Sequence, residues 1–428
     1  MGEPDDMGFT PVYEMVVKGS GDLNLRDYPG TGAVVTVVSE GDEILRVGIQ
    51  EDDPNVETDG YSRFLIDGVE CYARSHYFTS KYTYQGTIPT IHLPDQMALT
   101  AGTRHWFVTD QIIFGMDAGL TVHYAYSGAG ERVYDGTDAF AITPSEVGTA
   151  TLTVTVQVID NGVLQTVLQK TVQITVTEAD ASLSAVGMLI GDSRVSDGET
   201  LNTLQSKLPN LTLLGTRTTG GSAVHHEGRG GWRAKNYVHD AQVSMSSFTL
   251  TNPFYNPTTQ CFDFSYYMEQ NYPDTVPDFV VIHLGPNDGY SDESVEDVRT
   301  MVESVKAYGM EKGVDICVLV MTEYLSPADG YLLTQTSNTN MIARRLKQFT
   351  YFALQSDAFE GREDEQIYLL PNYVCINGWS DWTRESVETL NGTEERITDT
   401  VHLGTEGYRK TADVIASYLY FLFGNEIR

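Results

Sequence analysis

The apolar residues from about position 10 to 82 fall in short runs that predict β-strands. Runs such as 33–38 and 43–49 are separated by Gly and Asp residues and show no helical period. Short apolar runs between turn residues are typical of strands in small all-β folds. We therefore predict a small β domain over residues 10–82.

A second stretch, residues 88–178, alternates apolar and polar positions more strictly. Every second residue of 151–158 is apolar, namely Leu152, Val154, Val156 and Val158. A period of two describes a strand with one buried face. The pair Asn161-Gly162 follows and predicts a tight hairpin, because Asn and Gly accept positive φ angles. These features indicate a second β domain over 88–178, with short linkers near 83–88 and 178–184.

From about residue 184 the pattern changes to apolar runs that alternate with helical segments. The runs predicted as buried parallel strands are 185–190, 279–284, 314–321 and 367–370. Helical spacing marks inward faces at Val295, Val298, Val302 and Val305; at Ile342, Leu346 and Phe349; and, after Thr405 as a cap, at Tyr408, Ala412, Ile415, Leu419 and Leu422. This alternation predicts a layered α/β domain over 184–428. Residues just past each strand are the candidates for chemistry, since ligands bind at that edge.

Length and charge limit the classes of function. A chain of 428 residues accommodates about three domains at about 150 residues each. Its 27 Lys and Arg against 59 Asp and Glu give a net charge of −32. Such a chain is repelled by phosphate backbones and anionic lipids, which disfavours nucleic-acid binding. No apolar run reaches the roughly 18 residues of a membrane span.

The N-terminus and the cysteines add little. Residues 1–6 carry no basic start and no apolar stretch follows, so no signal peptide is visible. We nevertheless expect an extracellular, cell-surface or virion-associated protein that reaches its site by another route. The four cysteines are far apart without metal-ligand spacing, and Cys317 within an apolar run predicts a buried thiol.

Four short motifs lie where the predicted strands end. The first run ends in Gly191-Asp192-Ser193, where a small residue permits a sharp turn before a hydroxyl. The second run is followed by a Gly-Pro-Asn-Asp sequence that places the Asn287 amide at the same edge. A Gly-rich loop around Gly231 can offer backbone N–H groups. Asp399 precedes His402 by three residues, a spacing at which a carboxylate can orient an imidazole.

In this order the motifs resemble the blocks of the SGNH (GDSL-like) hydrolase family, over about residues 184–424. The resemblance implies a three-layer, flavodoxin-like α/β domain with a parallel sheet. Pro286 stands where the family more usually has Thr, and the segment between the Gly and Asn blocks is longer than in minimal members. An α/β-hydrolase is disfavoured, because the Gly-x-Ser-x-Gly pattern fails at Val195 and occurs nowhere else.

The resemblance also implies roles for individual residues. Ser193 would be the nucleophile, His402 the base that takes its proton, and Asp399 the carboxylate that holds the imidazole tautomer. The backbone N–H groups of Ser193 and Gly231 and the amide of Asn287 would form the oxyanion hole. Such a reaction needs no cofactor, and no His, Cys and Asp cluster in the sequence suggests a metal.

Further side chains near these motifs have both functional and structural interpretations. Arg194, Trp232 and His226 are candidate substrate contacts, with packing or charge compensation as the alternative for each. His283 lies inside a predicted strand, which favours a buried, hydrogen-bonded histidine. Asp288 is predicted to be a structural hydrogen-bond acceptor rather than a second catalytic acid.

The two β stretches also carry resemblances. Residues 10–82 resemble a bacterial SH3 domain, with the pattern Asn24-x-Arg26-x-x-Pro29 before a strand, a Gly41-Asp42 turn and another strand. Residues 88–178 resemble an immunoglobulin-like bacterial module. The first resemblance implies binding to a bacterial cell wall, although many members of both families are spacers. Assembly into a homo-oligomer or a virion remains a further expectation.

These observations lead to one preferred function and two alternatives. The preferred function is a serine esterase that removes O-acyl groups, above all O-acetyl, from a cell-surface or extracellular polysaccharide through an acyl-enzyme on Ser193. Trp379 and Trp382 suit stacking on sugar rings as well as packing. One alternative is a non-enzymatic glycan-binding or structural component of a phage tail or adhesion protein. The other is a lipase or thioesterase, whose acyl chain would need an apolar tunnel.

Overall fold

The computed structural model describes most of the chain. The described residues are 13–17, 22–29, 31–50, 61–66, 69–74, 77–80, 89–116, 120–135, 139–160, 163–219, 223–244, 249–327, 338–378, 380–389 and 392–424. The first compact unit comprises Met1–Asp95, Ile112–Ser127 and Ala150–Gln173, and the second comprises Gln96–Gln111, Gly128–Thr149 and Ile174–Arg428. The start of the chain, the Asn161-Gly162 turn, the 83–88 linker and Trp379 lie outside the described residues.

The described residues before position 82 include seven antiparallel strands. They are β1 (Tyr13–Val17), β2 (Leu23–Arg26), β3 (Val34–Val38), β4 (Glu43–Gln50), β5 (Tyr61–Ile66), β6 (Val69–Arg74) and β7 (Phe78–Ser80), in the order β3-β2-β6-β5-β4-β1-β7. Strands β3 and β4 match the two apolar runs that the sequence singles out. Strands of this sheet share a small hydrophobic core in which Leu25, Phe64 and Cys71 are completely buried.

Residues 90–177 are also mostly strands. They are β8 (Thr90–Ile91), β9 (Gln96–Thr100), β10 (His105–Val108), the short helix α1 (Thr109–Ile112), β11 (Ile113–Phe114), β12 (Leu120–Tyr126), β13 (Gly130–Asp135), β14 (Ala139–Pro144), β15 (Gly148–Asp160) and β16 (Val163–Thr177). Strand β14 pairs with β10 and β13, and β15 pairs with β12. The alternation predicted in 151–158 is confirmed, since Leu152, Val154, Val156 and Val158 are buried.

The remaining residues form an α/β arrangement. Its strands are β17 (Val186–Gly191), β18 (Thr212–Leu214), β19 (Arg217–Thr218), β20 (His225–Gly228), β21 (Gln242–Ser244), β22 (Thr249–Thr251), β23 (Tyr255–Asn256), β24 (Cys261–Phe262), β25 (Phe279–His283), β26 (Cys317–Met321), β27 (Ile367–Leu370), β28 (Arg384–Thr389) and β29 (Gly392–Ile397). Its helices are α2 (Ser193–Ser196), α3 (Glu199–Lys207), α4 (Ala234–His239), α5 (Phe264–Asn271), α6 (Asp292–Lys312), α7 (Asn338–Phe359) and α8 (Thr405–Phe423). The main sheet has the order β19-β20-β17-β25-β26-β27, with β18 also paired to β17.

The main sheet is buried on both faces, as expected of parallel strands between helices. Apart from the antiparallel edge strand β19, all its pairings are parallel. One set of alternate residues, including Leu189, Val281 and Leu319, packs with α3 and α8 in a single core. Their neighbours Ile190, Ile282 and Val320 point to the other face and are equally buried. The predicted parallel sheet and the buried Cys317 are thus confirmed.

Three details of the sequence prediction are wrong. Strand β26 begins at Cys317 rather than at 314, because Val314 is exposed at the end of the preceding turn. The cap of α8 is Gly404, and Thr405 is its first helical residue. Leu346 does not face inward on α7, since half of its surface is exposed. The inward face predicted for α6 is confirmed by the burial of all four valines.

Among the described helices, none is long and apolar enough to cross a membrane. The domain boundaries at 82, 88, 178 and 184, and the SH3-like and immunoglobulin-like resemblances, stay predictions.

Candidate active site

Ser193 lies at the turn between β17 and α2, at the carboxyl edge of the main sheet. Gly191 is required there, because an added Cβ would come within 2.5 Å of Val195 Cγ2 and 2.6 Å of the His283 carbonyl oxygen. Asp192 then caps α2, and its Oδ1 accepts a hydrogen bond from the backbone N–H of Arg194 at 3.0 Å. The small residue and the cap together fix the position of the Ser193 side chain.

His402 and Asp399 lie on the turn that precedes α8. Asp399 Oδ1 accepts hydrogen bonds from the backbone N–H groups of Val401 at 2.8 Å and His402 at 2.9 Å. Its Oδ2 lies 2.7 Å from His402 Nδ1, and His402 Nε2 lies 2.7 Å from Ser193 Oγ. The structure thus brings together three side chains from turns that are 209 residues apart in the sequence.

The charge state of Asp399 suits this arrangement. Partial burial opposes its ionisation, but the hydrogen bonds from the backbone of His402 and Val401 and from the His402 ring outweigh it and lower its pKa. An ionised Asp399 selects the tautomer with the proton on Nδ1, which leaves Nε2 free to accept the Ser193 proton. Chemically, the arrangement can activate a hydroxyl for nucleophilic attack.

The Gly-rich loop and the Asn287 turn meet beside this trio. Gly231 has a φ of +78°, a backbone conformation that residues other than Gly rarely adopt. Asn287 Nδ2 donates a hydrogen bond to the Trp232 carbonyl oxygen at 3.0 Å, which ties the two turns together. A Cβ on Gly230 would lie 3.9 Å from Ser193 Cβ, so this loop passes close to the hydroxyl.

Asp288 is a structural hydrogen-bond acceptor, as predicted. Both of its carboxylate oxygens accept from the backbone N–H of Ala234, at 3.1 and 3.0 Å. Burial raises its pKa to about 6, although these hydrogen bonds act in the opposite direction. Asp288 therefore holds the beginning of α4 against the Asn287 turn.

The predicted substrate contact at Arg194 is wrong. The guanidinium has no exposed surface, because it pairs with Asp192 at 3.0 Å and with Glu323 at 2.5 Å. The pKa of Glu323 is raised to about 7 by burial, against the influence of Arg194. His283 is buried as predicted, but its Nε2, 3.9 Å from Glu323 Oε1, has no hydrogen-bond partner within the described part of the chain. The cluster of Asp192, Arg194 and Glu323 supports the Ser193 turn from inside the protein.

The predicted contacts at His226 and Trp232 are also wrong, because both side chains are buried. His226 Nδ1 accepts from the Gly228 N–H at 3.0 Å, and Nε2 lies 2.9 Å from Thr219 Oγ1. Burial lowers the pKa of His226 to about 4, so the ring is neutral near pH 7. Trp232 lies under the Arg229 guanidinium, and Trp382 is likewise packed inside the protein.

A pocket of about 490 Å³ lies between the beginnings of α3 and α8 and the β28–β29 hairpin. It is lined by four carboxylates, one guanidinium and uncharged groups, among them Asp197, Glu199, Glu395, Glu406, Arg384 and Leu403. Leu403 directly follows His402, and Asp197 ends the helix that Ser193 begins. The pocket therefore lies against the segments that follow Ser193 and His402 in the chain, and it presents mainly negative charge.

The sequence analysis missed Glu323 and Tyr324, which follow β26. Tyr324 Oη donates a hydrogen bond to the carbonyl oxygen of Val401 at 3.1 Å, next to His402. Both residues directly follow a buried strand run, so the rule that directed attention to strand ends could have found them. Within the described residues no group of three or more His, Cys, Asp or Glu side chains is placed to hold a metal ion.

Comparisons with known proteins add similarities at low identity. No protein-family model and no curated protein matches the chain. A family 3 carbohydrate esterase of Clostridium thermocellum is 15% identical with a TM-score of 0.36, covering 56% of this chain and 100% of its own. A carbohydrate acetylesterase of Sinorhizobium meliloti is 15% identical with a TM-score of 0.34, with the same coverage.

An acetylxylan esterase of Geobacillus stearothermophilus is 12% identical with a TM-score of 0.33, covering 57% of this chain and 99% of its own.

Proposed function

We propose that this protein is a serine esterase of the SGNH type that removes O-acetyl groups from a polysaccharide. The observation that carries the proposal is the chain of hydrogen bonds from Ser193 through His402 to Asp399, with both links at 2.7 Å. A nucleophile, a base and an orienting carboxylate within hydrogen-bond distance are what acyl transfer requires.

The first half-reaction forms the acyl-enzyme. Ser193 Oγ attacks the ester carbonyl carbon while its proton passes to His402 Nε2. The backbone N–H groups of Ser193 and Gly231 and the Asn287 amide would stabilise the oxyanion. The tetrahedral intermediate then collapses, the bond to the sugar oxygen breaks, and that oxygen leaves as an alcohol with the proton from His402.

The second half-reaction frees the enzyme. A water molecule attacks the acyl carbon and gives one proton to His402 Nε2. Collapse of this second intermediate breaks the bond to Ser193 Oγ, which recovers the proton, and releases the carboxylic acid. Asp399 stays ionised throughout and stabilises the imidazolium that forms twice in the cycle.

The acidic pocket supports a neutral glycan as the substrate. Its carboxylates can accept hydrogen bonds from sugar hydroxyl groups, while they repel the carboxylates of a polyuronate. The net charge of −32 adds a long-range repulsion of the same sign. A polar, charged pocket is also a poor match for the acyl chain of a lipid.

The test of the esterase activity is hydrolysis of p-nitrophenyl acetate by the wild type and by Ser193→Ala. Ser206→Ala is the matched control, because Ser206 is an exposed serine of α3 whose hydroxyl donates to the Thr203 carbonyl oxygen within the same helix. Turnover lost in Ser193→Ala and kept in Ser206→Ala supports the proposal. Equal rates in all three proteins would show that Ser193 is not the nucleophile.

Substrate charge is tested by acetate release from acetylated xylan and from acetylated polygalacturonate. We expect the neutral polymer to react about tenfold faster at low salt, and salt to narrow the difference. Glu395→Gln should narrow it as well, because it removes one carboxylate of the pocket. A preference for the polyuronate at every salt concentration would rule out the neutral substrate class.

A further inference from the structure

The loop that follows β26 touches both catalytic turns. Glu323 pairs with Arg194, the residue after the nucleophile, and Tyr324 donates to the carbonyl oxygen of Val401, the residue before His402. Both loop side chains are at least 97% buried, since their exposures are only 3%. A displacement of this loop would therefore move Ser193 and His402 relative to each other.

The same loop is held by a residue from far earlier in the chain. Gln111 is completely buried, and its Oε1 accepts a hydrogen bond from the Leu325 N–H at 2.8 Å. Its Nε2 donates to the Leu325 carbonyl oxygen at 3.4 Å, so one side chain binds both backbone groups of Leu325. The segment Gln96–Gln111 belongs to the same compact unit as the site, although 214 residues separate Gln111 from Leu325.

We propose that Gln111 is a positioning residue of this esterase: it fixes the loop 322–326 and, through that loop, the separation of Ser193 and His402. The proposal rests on the proposed function. It places a determinant of catalysis in a segment that precedes the SGNH-like region by about 70 residues, where the family motifs give no reason to look. Gln111 touches no reacting atom and acts only through Leu325, Tyr324 and Glu323.

The loop has a second set of contacts, which limits the expected effect. Gln348 of α7 accepts from the Ser326 N–H at 2.9 Å and donates to the Tyr324 carbonyl oxygen at 3.0 Å. Arg345 donates to the Ser326 carbonyl oxygen at 2.6 Å and to the Asp110 carbonyl oxygen at 2.8 Å. Loss of Gln111 alone should loosen the loop rather than release it, so we expect kcat to fall about tenfold with little change in KM.

The test uses Gln111→Met, which keeps the length of the side chain and loses both hydrogen bonds to Leu325. Thr100→Val is the matched control, because the buried Thr100 Oγ1 bonds to Ser417 Oγ at 2.8 Å and ties the same segment to α8 instead. For each full-length protein, kcat and KM for p-nitrophenyl acetate, the rate of Ser193 labelling by phenylmethanesulfonyl fluoride and the melting temperature are measured.

We expect Gln111→Met to lower kcat and the labelling rate about tenfold at temperatures where the variant is fully folded. Thr100→Val should lower the melting temperature while leaving kcat and labelling unchanged. Equal kcat values in all folded variants would overturn the positioning role and leave the esterase function standing. A wild type that neither hydrolyses the ester nor labels at Ser193 would overturn both proposals.

Discussion

Two clusters of acidic and basic side chains flank Ser193, and they differ in their access to solvent. The Asp399 and His402 side chains are each 37% exposed. The Arg194, Asp192 and Glu323 side chains are at most 1% exposed. In both clusters a carboxylate contacts a nitrogen-containing side chain, but only the Asp399–His402 cluster is open to a substrate. Exposure to solvent, and not the type of residue, therefore distinguishes the side chains proposed to react from those that hold them in place.

Removal of the exposed base should produce the largest effect, and it should fall on activity alone. We expect His402→Ala to lower kcat about 10⁴-fold, because Ser193 would lose its proton acceptor. The unfolding free energy should change by less than about 1 kcal/mol, since the side chain is partly exposed. Steady-state kinetics and chemical denaturation of the same preparation check both parts. A loss of several kcal/mol in unfolding free energy together with the loss of activity would show that His402, like the buried cluster, supports the fold.

Removal of the buried guanidinium should instead lower the stability of the fold. Arg194→Met leaves Asp192 and Glu323 as unpaired carboxylates in the interior, which costs about 3–5 kcal/mol. Arg409→Met is the control, because Arg409 and Glu406 form an exposed pair worth about 0–1 kcal/mol. Denaturation midpoints of the two variants give the comparison. If Arg194→Met lost no more unfolding free energy than Arg409→Met, the buried cluster would not stabilise the Ser193 turn.

The sequence predicted the exposed cluster and misjudged the buried one for a physical reason. Ser193 directly follows the parallel strand β17, where such sheets place their ligands, and Asp399 and His402 form a local motif just before α8. Both motifs can therefore be read from short stretches of sequence. The burial of Arg194 depends on Glu323, 129 residues away, which local pattern does not reveal. The contact between Gln111 and Leu325 joins residues that are even farther apart in the sequence, by 214 positions. Helix α7 shows the same limit, since its period did not reveal that Leu346 is exposed.

Asn287 provides a test between the two extremes. We expect Asn287→Ala to lower kcat about 10²–10³-fold, because one oxyanion donor is lost. Its hydrogen bond to the Trp232 carbonyl oxygen also disappears, so stability should fall by about 1 kcal/mol. Kinetics and thermal denaturation of the variant are compared with those of the wild type. A KM increase with unchanged kcat would argue for ground-state binding instead of oxyanion stabilisation.

Asp288 should give an effect on stability that depends on pH and leaves the proposed chemistry untouched. Burial raises its pKa from 3.8 to about 6, so the folded state holds the proton more tightly than the unfolded chain. Its contribution to stability is therefore full below about pH 4 and falls as the pH rises to about 6, by at most about 3 kcal/mol. Asp288→Asn should remove this decline, while the amide oxygen can still accept from Ala234. The unfolding free energies of both proteins are measured in urea between pH 4 and 7. An equal dependence on pH in the two proteins would refute this role of Asp288.

Trapping the acyl-enzyme tests whether Ser193 carries the acyl group. The protein is mixed with p-nitrophenyl acetate, quenched in acid within the first turnover, and its peptides are weighed by mass spectrometry. The account predicts an acetyl group on the peptide that contains Ser193, and none on the corresponding peptide of Ser193→Ala. Full hydrolytic activity in Ser193→Ala, or an acetyl group only at another residue of the wild type, would contradict it.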